Sequence, residues 1–123
     1  MSPISAKEYR AMAKKPKRNK FNARKVTVDG RTYDSKAEAA YCETLLLREK
    51  AGEVSAIEFQ RPFALIGPDG MLITTYRADA AFWDNIENRF RVIDVKGFET
   101  KEFKIKRKLM KSLLGLDVEI VKA

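Results

Sequence analysis

The stretch from Tyr76 to Lys96, YRADAAFWDNIENRFRVIDVK, limits what this chain can fold into more than any other. Two β-rich runs, Leu72–Trp83 and Arg89–Val95, flank the polar segment Asp84-Asn85-Ile86-Glu87-Asn88, which has the composition of a hairpin turn. A hairpin symmetric about the Ile86/Glu87 bond sets Asp79 opposite Asp94, and Lys96 follows two residues later on the same face. The neighbours are apolar on both faces: Ala78, Ala80, Phe82, Ile93 and Val95 on one, and Ala81, Trp83, Val92 and Phe90 on the other. The strands therefore read as central and largely buried. Two carboxylates about 5 Å apart at an effective dielectric of about 20 repel by about 3 kcal/mol, so a positive charge is expected between them. Carboxylate and backbone carbonyl oxygens suit Mg²⁺, with Lys96 as a second, fixed positive charge. The competing reading is a surface hairpin in which Asp79 pairs with Arg77 or Lys96 and nothing binds.

The residue types narrow the chemistry. Cys42 is the single cysteine and histidine is absent, which removes intrachain disulfides, His/Cys zinc sites and histidine-based triads and nucleases. Catalysis would have to rest on carboxylates and lysine. Cys42 sits in an apolar helical context and reads as a small buried hydrophobe. A length of 123 residues suits one domain with a real core. Neither an apolar run of membrane-spanning length nor a secretory leader is evident, so no membrane association is expected and a cytoplasmic location is.

The net charge of +8 is concentrated at the start of the chain. Lys7, Arg10, Lys14, Lys15, Lys17, Arg18, Lys20, Arg24 and Lys25 stand there against Glu8 alone, while acids and bases balance in the remainder. Residues 1–24 read as a basic arm, disordered when free, that binds nucleic-acid phosphates; residues 25–123 read as the folded domain.

Within that domain, Lys25–Val28 and Arg31–Tyr33 flank Asp29-Gly30, a favoured hairpin dipeptide. A long helix opens at Asp34-Ser35-Lys36-Ala37-Glu38, carries an apolar stripe through Ala37, Ala40, Tyr41 and Leu45, and closes at Gly52. Ser35 with Glu38 fits a capping box, which would return the Glu38 carboxylate to the Ser35 amide. Strand-like runs follow at Val54–Phe59 and Phe63–Ile66, with Pro62 at a strand beginning, and Gly67-Pro68-Asp69-Gly70 turns the chain into the Leu72 run. After Lys96, Thr100 caps a second helix, Lys101–Leu114, ended by Gly115, and Asp117–Val121 reads as a last strand. That helix presents a basic face through Lys104, Arg107, Lys108 and Lys111, opposite an apolar set containing Phe103, Ile105, Leu109, Met110, Leu113 and Leu114.

At Ala78-Asp79 and Asp94-Val95-Lys96 the sequence resembles the PD-(D/E)XK nuclease superfamily, whose signature is an acid ending one strand and an acid-x-Lys triplet in the next. Alanine stands where that signature has proline. The order helix, three strands, helix, strand over residues 33–121 also resembles the αβββαβ core of that superfamily. The resemblance implies an α/β (α+β), restriction-endonuclease-like fold with a mixed central sheet, preceded by a small hairpin. The segment Ser35–Tyr41 resembles the first core helix of small phage-associated members, which places an acid there, so Glu38 joins the site as an implied residue. The run Val92–Gly97, with Thr100 and Phe103–Lys108, resembles a phage and prophage branch related to Holliday-junction resolvases.

These readings together give the leading expectation of an Mg²⁺-dependent DNA endonuclease acting on branched or junction DNA, with Mn²⁺ able to substitute. Asp79, Asp94, the Val95 backbone carbonyl and Glu38 would hold the metal, and Lys96 would position the water or offset charge. Lys14, Lys15, Lys17, Arg18, Lys20, Lys104, Arg107, Lys108 and Lys111 would contact DNA. The resemblance to resolvases, which cut two strands symmetrically, implies a homodimer. The alternative is a non-catalytic DNA-binding or packaging-accessory protein that keeps the nuclease fold.

Overall fold

Two hydroxyl caps and two left-handed glycines delimit the helices. Ser35 Oγ accepts from the Glu38 amide at 3.1 Å and starts α1 (Lys36–Lys50); Thr100 Oγ1 accepts from the Phe103 amide at 3.0 Å and starts α2 (Lys101–Leu114). Gly52, just past α1, has φ +78°, and Gly115 at the end of α2 has φ +68°, a backbone region that closes helices and that glycine enters freely. The computed structural model describes residues 26–28, 31–33 and 35–123. The basic arm 1–24, with Lys14, Lys15, Lys17, Arg18 and Lys20, and the Asp29-Gly30 turn lie outside the described residues.

Strands β1 (Val26–Val28) and β2 (Arg31–Tyr33) form an antiparallel pair. The main sheet is built from β3 (Val54–Ile66), β4 (Leu72–Asp84), β5 (Arg89–Lys96) and β6 (Val118–Lys122), in the order β3-β4-β5-β6. It is mixed, since β3–β4 and β4–β5 run antiparallel and β5–β6 parallel. The chain is thus α+β, a mixed four-stranded sheet with two helices. Leu45 of α1 packs with Val54, Ala80, Phe82 and Ile93 on one face, and Phe103 and Met110 of α2 pack with Ala81, Val92 and Val118 on the other. Among the described residues no helix is long and apolar enough to cross a membrane.

The β4–β5 register runs from Ala80↔Ile93 to Asp84↔Arg89, the symmetric hairpin expected from the sequence. Its turn is held by Asp84, a buried residue whose Oδ1 accepts from the Ile86 and Glu87 amides, both at 2.9 Å, while Oδ2 meets Arg91 Nη1 at 3.0 Å. Arg91 continues to Glu119 of β6 at 2.7 Å, tying three neighbouring elements together.

Four details differ from the sequence reading. Pro62 does not begin a strand: it lies inside the continuous β3, paired with Arg77, and an edge strand tolerates a missing amide donor. The buried stripe of α1 is Glu38, Ala39, Cys42 and Leu45, while Ala40 is exposed, because a stripe traced through apolar residues alone misses the buried Glu38. Ile105 and Leu114 of α2 are exposed rather than part of its core face. Finally, Ala78 packs with Tyr76 and the α2 cluster, not with Ala80 and Phe82. The alternation slips by one residue at Asp79. It slips in β3 at the same level, between Phe59 on the α1 side and Phe63 on the α2 side, where Gln60 has φ +52°.

The packing predicts a sharp contrast between two leucines of α1. Leu45→Ala, at a residue 1% exposed, should lose about 2 to 5 kcal/mol in urea unfolding, whereas Leu47→Ala, at 66% exposure, should stay within about 0.5 kcal/mol of the parent.

Candidate functional site

The pairing of β4 with β5 stops at Ala80↔Ile93, although β4 continues to Leu72 beside β3 and β5 continues to Lys96 beside β6. At the point of separation the Asp79 carboxylate takes over from the ladder: its Oδ2 accepts the Val95 amide at 2.7 Å. A continuing register would have paired Val95 with Ala78. The N–H and C=O of one strand residue project to the same side, so the Val95 carbonyl faces β4 as well.

Beyond this point the separated strands and the start of α2 enclose a cleft of about 270 Å³, lined in part by Tyr76, Arg77, Asp94, Lys96, Phe103 and Lys106. Asp94 is buried. The Tyr76 hydroxyl donates to its Oδ2, and Lys96 Nζ stands 3.3 Å from its Oδ1. Lys96 also lies 4.6 Å from the centroid of the Phe103 ring, which holds the ammonium over the first turn of α2. Asp94 Oδ1 is buried and makes no well-aligned hydrogen bond; the Lys96 ammonium is its ion-pair partner. Burial, followed by the charge of Asp94, raises the pKa of the Tyr76 hydroxyl, so it stays a proton donor.

Glu38 is buried at the first turn of α1, and its carboxylate accepts from Gln60 Nε2. The same nitrogen lies 3.4 Å from Asp79 Oδ1. The Glu38 side chain leads to Asp79 by way of Gln60. Glu38 and Asp79 are not among the residues lining the cleft, whereas Asp94 and Lys96 are. The acids run through the sheet from the α1 side toward the α2 side, with Asp79 where the strands part. Burial and the Asp94 carboxylate push the Asp79 pKa up to about 8, with a smaller upward push from Glu38, against the downward pull of the Val95 amide.

The donor chemistry fits a hard divalent cation. Asp94 supplies a buried oxygen held only by its ion pair with Lys96, Asp79 is destabilised as an anion by its neighbour, and the Val95 carbonyl faces the same gap. Among the described residues no three His, Cys, Asp or Glu side chains already converge into a metal cage. Two participants escaped the sequence reading. Gln60 falls in the interval left between two strand-like runs, and that interruption was its signal; Tyr76 opens the key stretch but carries no mark that its hydroxyl meets Asp94.

Of the proposed DNA-contacting residues, Lys104, Arg107, Lys108 and Lys111 line one groove of about 440 Å³ along α2, together with Glu99 and Asp117. Lys111 is paired with Asp117 at 3.2 Å, and Arg107 Nε donates to the Val118 carbonyl at 3.2 Å.

Residues 18–119 match the family described as "Protein of unknown function (DUF1064)". The chain belongs to this family. The matched span contains the DUF1064 member's whole acid site, from Glu38 to Lys96, and the basic groove of α2. No curated protein and no solved structure matches the chain.

The raised pKa of Asp79 predicts how stability varies with pH in the absence of divalent cations. The native state keeps this proton up to about pH 8, whereas an unfolded aspartate releases it near 3.8. The stabilisation is therefore complete at low pH and is lost as pH rises through about 8. The melting temperature should fall across that interval, and Asp79→Asn should flatten the decline and melt higher than the parent at its upper end. A pH profile of melting with EDTA present checks both.

Proposed function

We propose that this protein is a divalent-metal-dependent DNA endonuclease of the PD-(D/E)XK type, acting on branched or junction DNA. The observation that carries the reading is the Asp79 carboxylate on the Val95 amide where β4 and β5 separate, next to Asp94 and its ion pair with Lys96 on the wall of the cleft. The helix and strand order, with a mixed sheet between two helices, is consistent with the αβββαβ core.

In this reading Asp79, Asp94, the Val95 carbonyl and Glu38 would hold Mg²⁺, or Mn²⁺ in its place. The bound cation would lower the pKa of water and stabilise charge on the phosphate. The remaining work falls to the chain's own residues. Tyr76 fixes the Asp94 carboxylate by donating to Oδ2, which leaves Oδ1 directed to a cation or to Lys96. Lys96, held over Phe103, can bind a phosphate oxygen or orient the attacking water at its Nζ. Lys106 lines the same cleft, and the groove with Lys104, Arg107, Lys108 and Lys111 lies along the same helix, so a phosphate backbone can be held beside the acids. The basic arm, with Lys14, Lys15, Lys17, Arg18 and Lys20, would add sequence-independent affinity. Symmetric cutting of a junction needs two sites, hence a homodimer.

The test is incubation of the full chain with linear, nicked, flap and four-way DNA in Mg²⁺, Mn²⁺ or EDTA. Cleavage should require the cation and fall by at least about 10²-fold in Asp94→Asn and in Lys96→Ala, with DNA binding retained. Binding with no cation-dependent cleavage of any substrate would instead support a non-catalytic DNA-binding role. Replacing Lys104, Arg107, Lys108 and Lys111 together by Ala should reduce the slope of log affinity against log salt by about 3 to 4 units, at roughly 0.9 per phosphate contact.

A further inference from the structure

Gln60 makes contacts that the nuclease reading does not require. It sits in β3, the edge strand, in the left-handed backbone region at φ +52°, a conformation that glycine adopts freely and a long side chain does not. Its Nε2 nonetheless reaches two carboxylates on two other elements, Glu38 of α1 and Asp79 of β4. Facing two carboxylate oxygens, the amide must present its NH₂ group, which has two protons to give and no acceptor to offer. The carboxamide thus delivers partial positive charge to the place where the two acids would otherwise meet only each other. The pleat of β3 and of β4 slips at this same level, which turns Gln60 toward the acids.

We propose that Gln60 is a latch that competes with a cation: its amide bridges Glu38 and Asp79, and a divalent cation must displace it from Asp79 to bind. The inference rests on reading the acids as a cation site. Gln60 is then a positioning residue that lowers metal affinity while holding the acids together. A ligand role would give the opposite sign, because loss of a ligand weakens binding.

The test uses the full chain and no DNA. Mn²⁺ binding is followed by the loss of the free-ion electron paramagnetic resonance signal, and melting is recorded with EDTA and with Mn²⁺. Gln60→Gly suits the backbone of this position and removes the amide. It should bind Mn²⁺ about tenfold tighter than the parent, the equivalent of one hydrogen bond to a charged group, and melt lower in EDTA. Gln60→Asn, which tolerates the left-handed region but is one methylene too short to bridge both acids, should move in the same direction and serves if the glycine variant does not fold. Unchanged or weaker Mn²⁺ binding by a folded variant overturns the latch alone. Failure of the parent chain and both variants to bind Mn²⁺ overturns the cation reading and the latch with it.

Discussion

A side-chain carboxylate occupies a place in the central ladder that a backbone carbonyl would normally fill, and the rest of the molecule is arranged around that substitution. The bond from the Val95 amide to Asp79 ends the β4–β5 pairing without leaving the amide unsatisfied. Below it the two strands stay in register down to the turn; above it each strand holds to its outer neighbour and the cleft opens. Burying acids at such a point is unfavourable unless donors surround them. Tyr76, Val95, Gln60 and Lys96 supply those donors from three different strands. The apolar clusters on the two sheet faces hold the strands that carry them.

Two aspartates of β4 show how completely the surroundings set the chemistry. Asp84 and Asp79 lie on one strand, yet the first has its pKa lowered to about 2 and the second has it raised to about 8. Asp84 receives the amides of Glu87 and Ile86 and the guanidinium of Arg91. Asp79 receives the Val95 amide and, at 3.4 Å, Gln60 Nε2, and faces other carboxylates. The hairpin is therefore fastened by a well-stabilised anion at its turn, and carries at the end where the strands part a carboxyl that its neighbours disfavour as an anion.

Much of this was legible in the sequence. The matched apolar runs around a short polar turn set the β4–β5 register from the turn to Ala80↔Ile93, one residue short of Asp79 and Asp94. Ser35, Thr100, Gly52 and Gly115 marked the helix ends, because capping is a local interaction written in one or two residues. The slip at Gln60 and Asp79 was not legible. A positive φ at glutamine has no local signature, since tertiary contacts impose it, and a period-two reading carried Ala78 to the wrong face as a result. The Gln60–Glu38 contact depends on that slip and on α1 lying over the sheet, neither of which a residue pattern encodes.

The irregularity of β3 has a further consequence for how the protein behaves in company. A 13-residue strand at the rim of a sheet is a template onto which another chain can add itself, the first step toward aggregation. Here the rim is interrupted three times within seven residues, by left-handed backbone at Ala56 and Gln60 and by the missing amide of Pro62. No uninterrupted stretch at that level is long enough to seed a flat intermolecular ladder. The twist that aims Gln60 inward therefore also blunts the outer rim, so straightening this strand would endanger solubility at high concentration as well as the arrangement of the acids.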